Sequence, residues 1–321
     1  MNLNYELSSQ IEKDLGINVS FQRGISIPVK NCWHFSSNGN DSGPMFFDDN
    51  DFRHGMNRIY KLQKHYRIIP LAFTLMDTHV HFLLYGNFDD CNRFIHEYIR
   101  LTSMHNSQKY RTRKSMQNIG ISHQVIDNDL YLKTVICYIC KNAPVGGLAF
   151  NALDYPWSSA PLYFKNKVNW ASPSWIEYRE NSTLSDLGIR GKRDFLETRY
   201  TDNDNALLID GIIFPGEYIA YEIVEKIFRS TKSFNYFMCR TKEDDVDSKG
   251  GILSYLTMPI QELRQHKTEL CMSMFGEKTV KNLDIQKRIK LARTLKSKYN
   301  SSPKQIARVC GLIYEEVSAY I

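Results

Sequence analysis

No uninterrupted apolar run in this chain approaches the roughly 20 residues that a membrane helix needs, so no membrane association is expected. The opening residues, MNLNYELSSQIEKDLG, contain neither a basic n-region nor an apolar h-region; no secretory signal is expected, and the cytoplasm is the expected compartment. A disulfide framework is missing too. Seven cysteines, an odd number, are scattered at positions 32, 91, 137, 140, 239, 271 and 310, which suits reduced thiols. Cys137 and Cys140 have C-x-x-C spacing, but no second pair accompanies them, so two thiols on a helix are expected rather than a zinc or redox motif. Nothing like the H-E-x-x-H pattern of zinc proteases occurs, which argues against a hydrolase of that kind.

What the chain does have is length and an uneven charge. Its 321 residues are too many for one small core and suggest two or three modules. Lys and Arg number 41 against 35 Asp and Glu, a net charge of +6. Residues 260–321 hold 12 basic and 6 acidic side chains, so this tail accounts for the whole excess. A basic terminal module is what a polyanion-binding element looks like.

Hydrophobic periodicity organises the first half. Residues 17–27, INVSFQRGISI, have strand character, and 28–44, with Pro, Asn, Ser and Gly around Trp33 and Phe35, read as a loop. Asp48 to Lys64 carries Phe52, Met56, Ile59, Tyr60 and Gln63 at helical spacing. Two apolar strands follow, at 67–76 and 79–86, separated by Asp77-Thr78 alone, which implies an antiparallel hairpin. Asp89 to Tyr110 is a second helix, with Phe94, Ile95, Tyr98, Leu101 and Thr102 along one side, and 111–120 is a basic irregular connection. Asp129 to Asn142 is a third helix. The order β-α-β-β-α-(β)-α predicts an α+β fold with helices on an antiparallel sheet. Pro156 closes this unit. A middle region holds a helix near Tyr218–Arg229 and a polar stretch at 242–250, and from 255 onward the chain is helical.

His79 and His81 are two apart in the second strand, so both imidazoles project from one face while Val80, Phe82 and Leu84 point to the other. Paired imidazoles make a half-site for a divalent metal, although H-x-H alone more often marks hydrogen-bonded surface histidines. Its setting is more specific. The run LAFTLMDTHVHFLL, then YICKNAPVGGL at 138–148, then Asp154-Tyr155-Pro156-Trp157-Ser158-Ser159 resemble, in order, three signatures of the HUH single-tyrosine transposases. The REP-associated tyrosine transposase branch, which is insertion-sequence 200-like, is the most similar. The resemblance spans roughly residues 17–160, with Ala143-Pro144 standing where that family often has Pro-Val.

The resemblance implies a ferredoxin-like or RRM-like antiparallel sheet with helices, the HUH endonuclease fold. It implies Tyr138 as a nucleophile toward DNA, and Asn142 as a metal ligand beside His79 and His81. Tyr138 and Asn142 share a helix face, with Val135, Ile136 and Ile139 placed to anchor the helix. A phenol with its ordinary pKa of about 10 is a poor nucleophile at neutral pH, and a cation polarising the scissile phosphate compensates. Imidazole and oxygen donors suit Mg²⁺ or Mn²⁺.

For DNA contact the basic cluster Lys109, Arg111, Arg113 and Lys114 is the densest in the first module, and Arg23 matches an Arg-Gly step of the family's first strand. Trp33 and Phe35 are candidates for base stacking, though packed aromatics are commoner. Toward the C-terminus, Ser301 or Ser302 caps a helix begun by Pro303, and Ala307, Gly311 and Val317 have helix-turn-helix spacing. Lys304 and Arg308 are the candidate DNA contacts there. The expected division is a catalytic domain at 1–160, an accessory region at 161–254 and a helix-turn-helix-like module at 255–321. The expected activity is metal-dependent single-strand DNA cleavage and strand transfer, on single-stranded or hairpin DNA, by a monomer or homodimer. Two other readings remain open: a domesticated, non-cleaving DNA-binding regulator, and a zinc hydrolase built on His79 and His81.

Overall fold

In a computed structural model of the chain, residues 3–19, 26–37, 44–111, 116, 119–164, 182–197, 205–241, 246, 260–299 and 303–317 are described. The chain divides into two units, Met1–Cys239 and Arg240–Ile321.

The first unit is built on a four-stranded antiparallel sheet. Its strands are β1 (Cys32–Ser37), β2 (Ile68–Leu75), β3 (Val80–Gly86) and β4 (Ile121–Val125), in the order β2-β3-β1-β4. A helix α1 (Tyr5–Asp14) precedes it. Helix α2 (Asp49–His65) connects β1 to β2, α3 (Phe88–Tyr110) connects β3 to β4, and α4 (Asp129–Val145) follows β4. Each of the last three starts at a side-chain cap: Asp48 accepts from Asp51 N–H, Asn87 from Asp90 N–H and Asn128 from Tyr131 N–H. These caps satisfy amides that a helix start would leave unpaired.

Every residue of β2 and β3 is buried, so the centre of the sheet is covered on both faces. On one face Phe82 meets Phe94 and Tyr98 of α3, with ring centroids 5.3 and 5.0 Å apart. On the other lies α4, whose Val135, Ile136 and Ile139 are fully buried. The outer edge of β2 is closed by the 154–163 segment. Leu75 N–H donates to Trp157 O, Ser159 N–H to Phe73 O, and the hydroxyls of Tyr155 and Tyr163 to Leu75 O and Leu71 O. The Asp-Tyr-Pro-Trp-Ser-Ser motif therefore satisfies a sheet edge that would otherwise expose unpaired backbone.

Three expectations are corrected. Among the described residues the first strand is Cys32–Ser37: of the strand expected over 17–27, Ile17 and Asn18 lie in a turn and residues 20–25 lie outside the described residues, and the supposed loop around Trp33 and Phe35 is the inner strand β1. A short strand flanked by polar residues is hard to distinguish from a loop by composition, and here burial from both sides selects it. Phe35 is fully buried and stacks on Phe88, while Trp33 Nε1–H donates to Gly86 O; both aromatics are packing residues. Finally, the β2–β3 connection is longer than two residues, with Met76 N–H donating to His79 O. His79 thus precedes β3 rather than lying in it.

The middle elements belong to the first unit, α7 up to its last residue: α5 (Ile189–Leu196), a minimal hairpin β5 (Leu208–Ile209) and β6 (Ile212–Ile213), α6 (Tyr221–Phe228) and α7 (Thr231–Arg240). Buried Asn57 of α2 fastens the hairpin by accepting Ile213 N–H at 2.8 Å.

The second unit contains α8 (Ile260–Phe275), α9 (Ile285–Tyr299), α10 (Pro303–Val309) and α11 (Tyr314–Val317) around Leu263, Cys271, Leu291, Leu295, Ile306 and Cys310. Gly311, between α10 and α11, has φ +66°, a left-handed value that glycine adopts without strain. Its carbonyl accepts from Arg288. Ala307 and Val317 are buried; Ser301 and Ser302 lie outside the described residues. Among the described residues no helix is long and apolar enough to cross a membrane.

Candidate functional site

The face of the sheet toward α4 collects the histidines. Residues opposed across an antiparallel pair share a face. Since Ser36 and Thr74 both pair with His81, the β1 residue two before Ser36, His34, lies on that face as well. His34 Nε2 and His81 Nδ1 are 3.1 Å apart, with the rings stacked at 5.3 Å. The His79 ring stands edge-on to His81 at 5.2 Å. Tyr138 of α4 lies over this group, 5.4 Å from the His81 ring and 5.9 Å from that of His34. Asn142, one turn along α4, donates from Nδ2 to Tyr138 O at 3.0 Å and hydrogen-bonds the His79 ring. The four residues expected from the sequence, His79, His81, Tyr138 and Asn142, converge in space.

His81 is buried, and His79, Tyr138 and Asn142 are half-buried, so the cluster opens outward along α4. Burial holds the His81 pKa well below the ordinary imidazole value, helped by its histidine neighbours. Burial also lowers His79, against opposing contributions from Asn142 and Asp77. Both rings are therefore neutral near pH 7 and keep a lone pair. Thr74, directly opposite His81, buries its hydroxyl with no hydrogen-bond partner. An orphaned hydroxyl beside two neutral imidazoles and an amide fits a hydrated divalent cation.

His34 was not singled out in the sequence. The available signal was alternation in Cys-Trp-His-Phe-Ser-Ser, which places Cys32, His34 and Ser36 on one face once the segment is read as a strand.

The cationic candidates are placed less uniformly. Lys109 is paired at 2.7 Å with both Asp48 and Asp51, so its ammonium is engaged within the unit. Arg111 is exposed at the end of α3, in a left-handed conformation. Arg308 is exposed on α10, which also carries Lys304. Arg23, Arg113 and Lys114 lie outside the described residues. Cys137 and Cys140 are buried free thiols of α4 whose pKa values burial raises, which makes them inert packing residues.

A second polar cluster joins α2, α3 and the end of α5. Glu197 lies 3.5 Å from His54 Nδ1, 2.6 Å from Arg58 and in hydrogen-bond contact with His105. The other nitrogen of His105 is 2.8 Å from Asp51. His54, His105 and Glu197 have the donor types and closeness to hold a metal ion. Their partners favour an ion-pair network instead. An imidazole between two carboxylates donates from both nitrogens, and these bonds raise the His105 pKa despite burial. Burial opposes ionisation of Asp51 and Glu197, yet cationic neighbours bring both down to about 2.

Fold and site together define a class: a mixed α/β protein whose antiparallel sheet presents clustered neutral histidines to a helix-borne phenol and amide. No protein-family model and no curated protein matches the sequence. One solved structure similar to this chain is described as a REP-associated tyrosine transposase bound to a REP hairpin. It is 16% identical over 48% of this chain and 93% of that one, with a TM-score of 0.35, too low to equate the two folds.

Proposed function

We propose that this chain is a divalent-cation-dependent, single-tyrosine enzyme of HUH type that cleaves and rejoins single-stranded or hairpin DNA. The observation that carries the reading is the position of Tyr138, with its ring 5.4 Å from that of His81 in the pocket that also holds His79 and Asn142. The three sequence signatures and the strand order β2-β3-β1-β4 with two helical crossovers, the split βαβ pattern, support it.

In this reading His79, His81 and the Asn142 amide oxygen hold Mg²⁺ or Mn²⁺, which when bound polarises the scissile phosphate. His79 exchanges its hydrogen bond to Asn142 for that role. The Tyr138 oxygen attacks phosphorus and loses its proton to solvent. The 3′-oxygen leaves and is protonated, giving a 5′-phosphotyrosyl enzyme and a free 3′-hydroxyl. Attack by a 3′-hydroxyl on that linkage reverses the step and joins strands, so the bond energy is kept without ATP. Arg111, with Arg23, Arg113 and Lys114, contacts DNA phosphates. The 255–321 module, through Lys304 and Arg308, supplies further DNA affinity beside a 1–160 catalytic domain and a 161–254 accessory region.

The deciding experiment incubates the full chain with labelled single-stranded DNA carrying candidate hairpins and Mn²⁺. A denaturation-resistant protein–DNA adduct that disappears in Tyr138→Phe is expected. DNA binding with no adduct under any cation would identify a non-cleaving DNA-binding protein instead.

A further inference from the structure

We propose that Val145, Leu148 and Phe150 form a stacking platform for unpaired nucleobases beside the phosphate that Tyr138 attacks. The inference deepens the strand-cleavage reading and rests on it for what lies at Tyr138.

The solvent-facing stripe of α4 continues past the pocket. Tyr138 and Asn142 are half-buried on it, and Val145, three residues after Asn142 and two turns from Tyr138, extends it at 63% exposed. The chain then leaves the helix through a Schellman turn. Gly147 N–H donates to Pro144 O and Leu148 N–H to Ala143 O, with Gly147 at φ +75°, a left-handed value that glycine supplies. The turn is seated firmly. A Cβ on Gly146 would meet Met76 Cε at 2.7 Å, and Met76 begins the connection that carries His79. Ala149 packs with Met76, Ala143 and Tyr155. Asn151 caps the short turn Ala152–Asp154 by accepting Leu153 N–H. Between these two anchors the Phe150 ring is fully exposed, and Leu148 is 41% exposed.

Single exposed apolar side chains are ordinary on a protein surface, but a cluster held by a fixed turn and continuous with a polar pocket marks a binding site. The choice of occupant follows from chemistry and reach. Residues 142–153 carry no charged side chain, so this surface has no cation for phosphate. Its three apolar side chains have no donor or acceptor for a base edge. What they can take is a flat, apolar face. A strand whose phosphate lies at Tyr138 supplies such faces close by. Tyr138 and Val145 are about 10 Å apart along the helix axis, roughly three nucleotides at the 3.4 Å rise of a stacked strand. Bases adjoining that phosphate therefore reach the patch, and only unpaired, unstacked ones have a face free for the Phe150 ring. Stacking of this kind tolerates any sequence, because every base has a π-face.

The test uses the full chain carrying Tyr138→Phe, so that no strand is cut, and oligothymidylate as the probe. Adding Phe150→Ala should weaken binding about 5- to 150-fold, the range that one base–aromatic stack corresponds to. The salt-dependence slope should not change, because no phosphate contact is lost. An abasic oligomer of the same length, with phosphates but no bases, should bind both proteins alike. The indole introduced by Phe150→Trp should be quenched by oligothymidylate and not by the abasic oligomer. Both substitutions fall on a fully exposed ring, so the fold is retained. An indole left unquenched at saturation, or equal oligothymidylate affinity with and without Phe150→Ala, overturns the platform and leaves strand cleavage to be judged by its Tyr138 adduct. Normal DNA binding by a Phe150→Ala chain that loses a dimer also overturns it and makes a second copy the occupant. A parent chain that binds no oligothymidylate overturns it too. Weakened binding in Phe150→Ala, where the wild type forms no adduct, sustains the platform and sinks the strand-cleavage reading.

Discussion

His81 and Tyr138 meet edge to face, ring centroids 5.4 Å apart and planes at 89°. His81 comes from an inner strand and Tyr138 from a helix packed across it, so sheet and helix must dock in one register for the two to meet. The buried thiols of Cys137 and Cys140 and the isoleucines beside them set that register.

Replacing the two histidines separates structure from chemistry. His81→Ala removes a buried ring and leaves His34 Nε2 without its partner, a loss on the order of 1–3 kcal/mol, read as a lower denaturation midpoint. His79→Ala, at a half-exposed position, should cost under about 1 kcal/mol. Both should abolish cation-dependent adduct formation. Full activity in a stable His79→Ala protein would contradict the ligand assignment.

Tyr138→Phe removes one oxygen from a half-buried ring. Thermal stability should stay within about 1 kcal/mol of wild type and Mn²⁺ binding within a few-fold, while the covalent adduct disappears. Loss of metal binding together with the adduct would mean that the phenol acts through the cation site rather than as nucleophile.

The Asp51–His105–Glu197–Arg58 network predicts a pH window for stability. The His105 pKa is raised in the folded chain, so its contribution is complete below the ordinary value of about 6.5 and is lost as pH rises through the folded value. Asp51 and Glu197 are depressed to about 2, so their contributions hold above about 4 and fade as pH falls toward 2. Thermal midpoints should be highest between roughly pH 4.5 and 6.5. His105→Gln should flatten the alkaline limb, and Glu197→Gln should cost roughly 2 kcal/mol at pH 6. If instead His54, His105 and Glu197 held a metal, a chelator would lower the wild-type midpoint.

Gly311→Ala tests the turn between α10 and α11. The added methyl meets the end of the flexible Arg288 side chain at 3.4 Å and Val280 Cγ2 at 4.0 Å, neither a clash. The cost is therefore the backbone strain of a left-handed alanine, about 1–2 kcal/mol, visible as earlier unfolding of the C-terminal unit.

Arg308, exposed on α10, should act as a sequence-independent phosphate contact. Arg308→Ala should weaken binding to all DNA sequences alike and reduce the salt-dependence slope by about 1. An unchanged slope would remove this side chain from the DNA-binding surface.

Local pattern was sufficient for much of this protein. Helices α2, α3 and α4 are long and periodic, strands β2 and β3 are apolar runs, and each matches its expected span within a few residues. The pairing of Tyr138 with Asn142 followed from helix spacing, because neighbours that close in sequence are held on one side by backbone geometry alone, whereas His79, which precedes β3, meets His81 from the β2–β3 connection. What only the tertiary structure decided depends on contacts distant in sequence. Cys32–Ser37 is a strand because β3 and β4 pair with it from either side, and no local signal separates it from a loop. That pairing is what carries His34 to His81. Likewise, His105 meets Asp51 and Glu197 only because α2, α3 and the end of α5 pack together. Whether a histidine stands alone or within a network depends on such long-range packing, which the spacing of residues along one element does not encode.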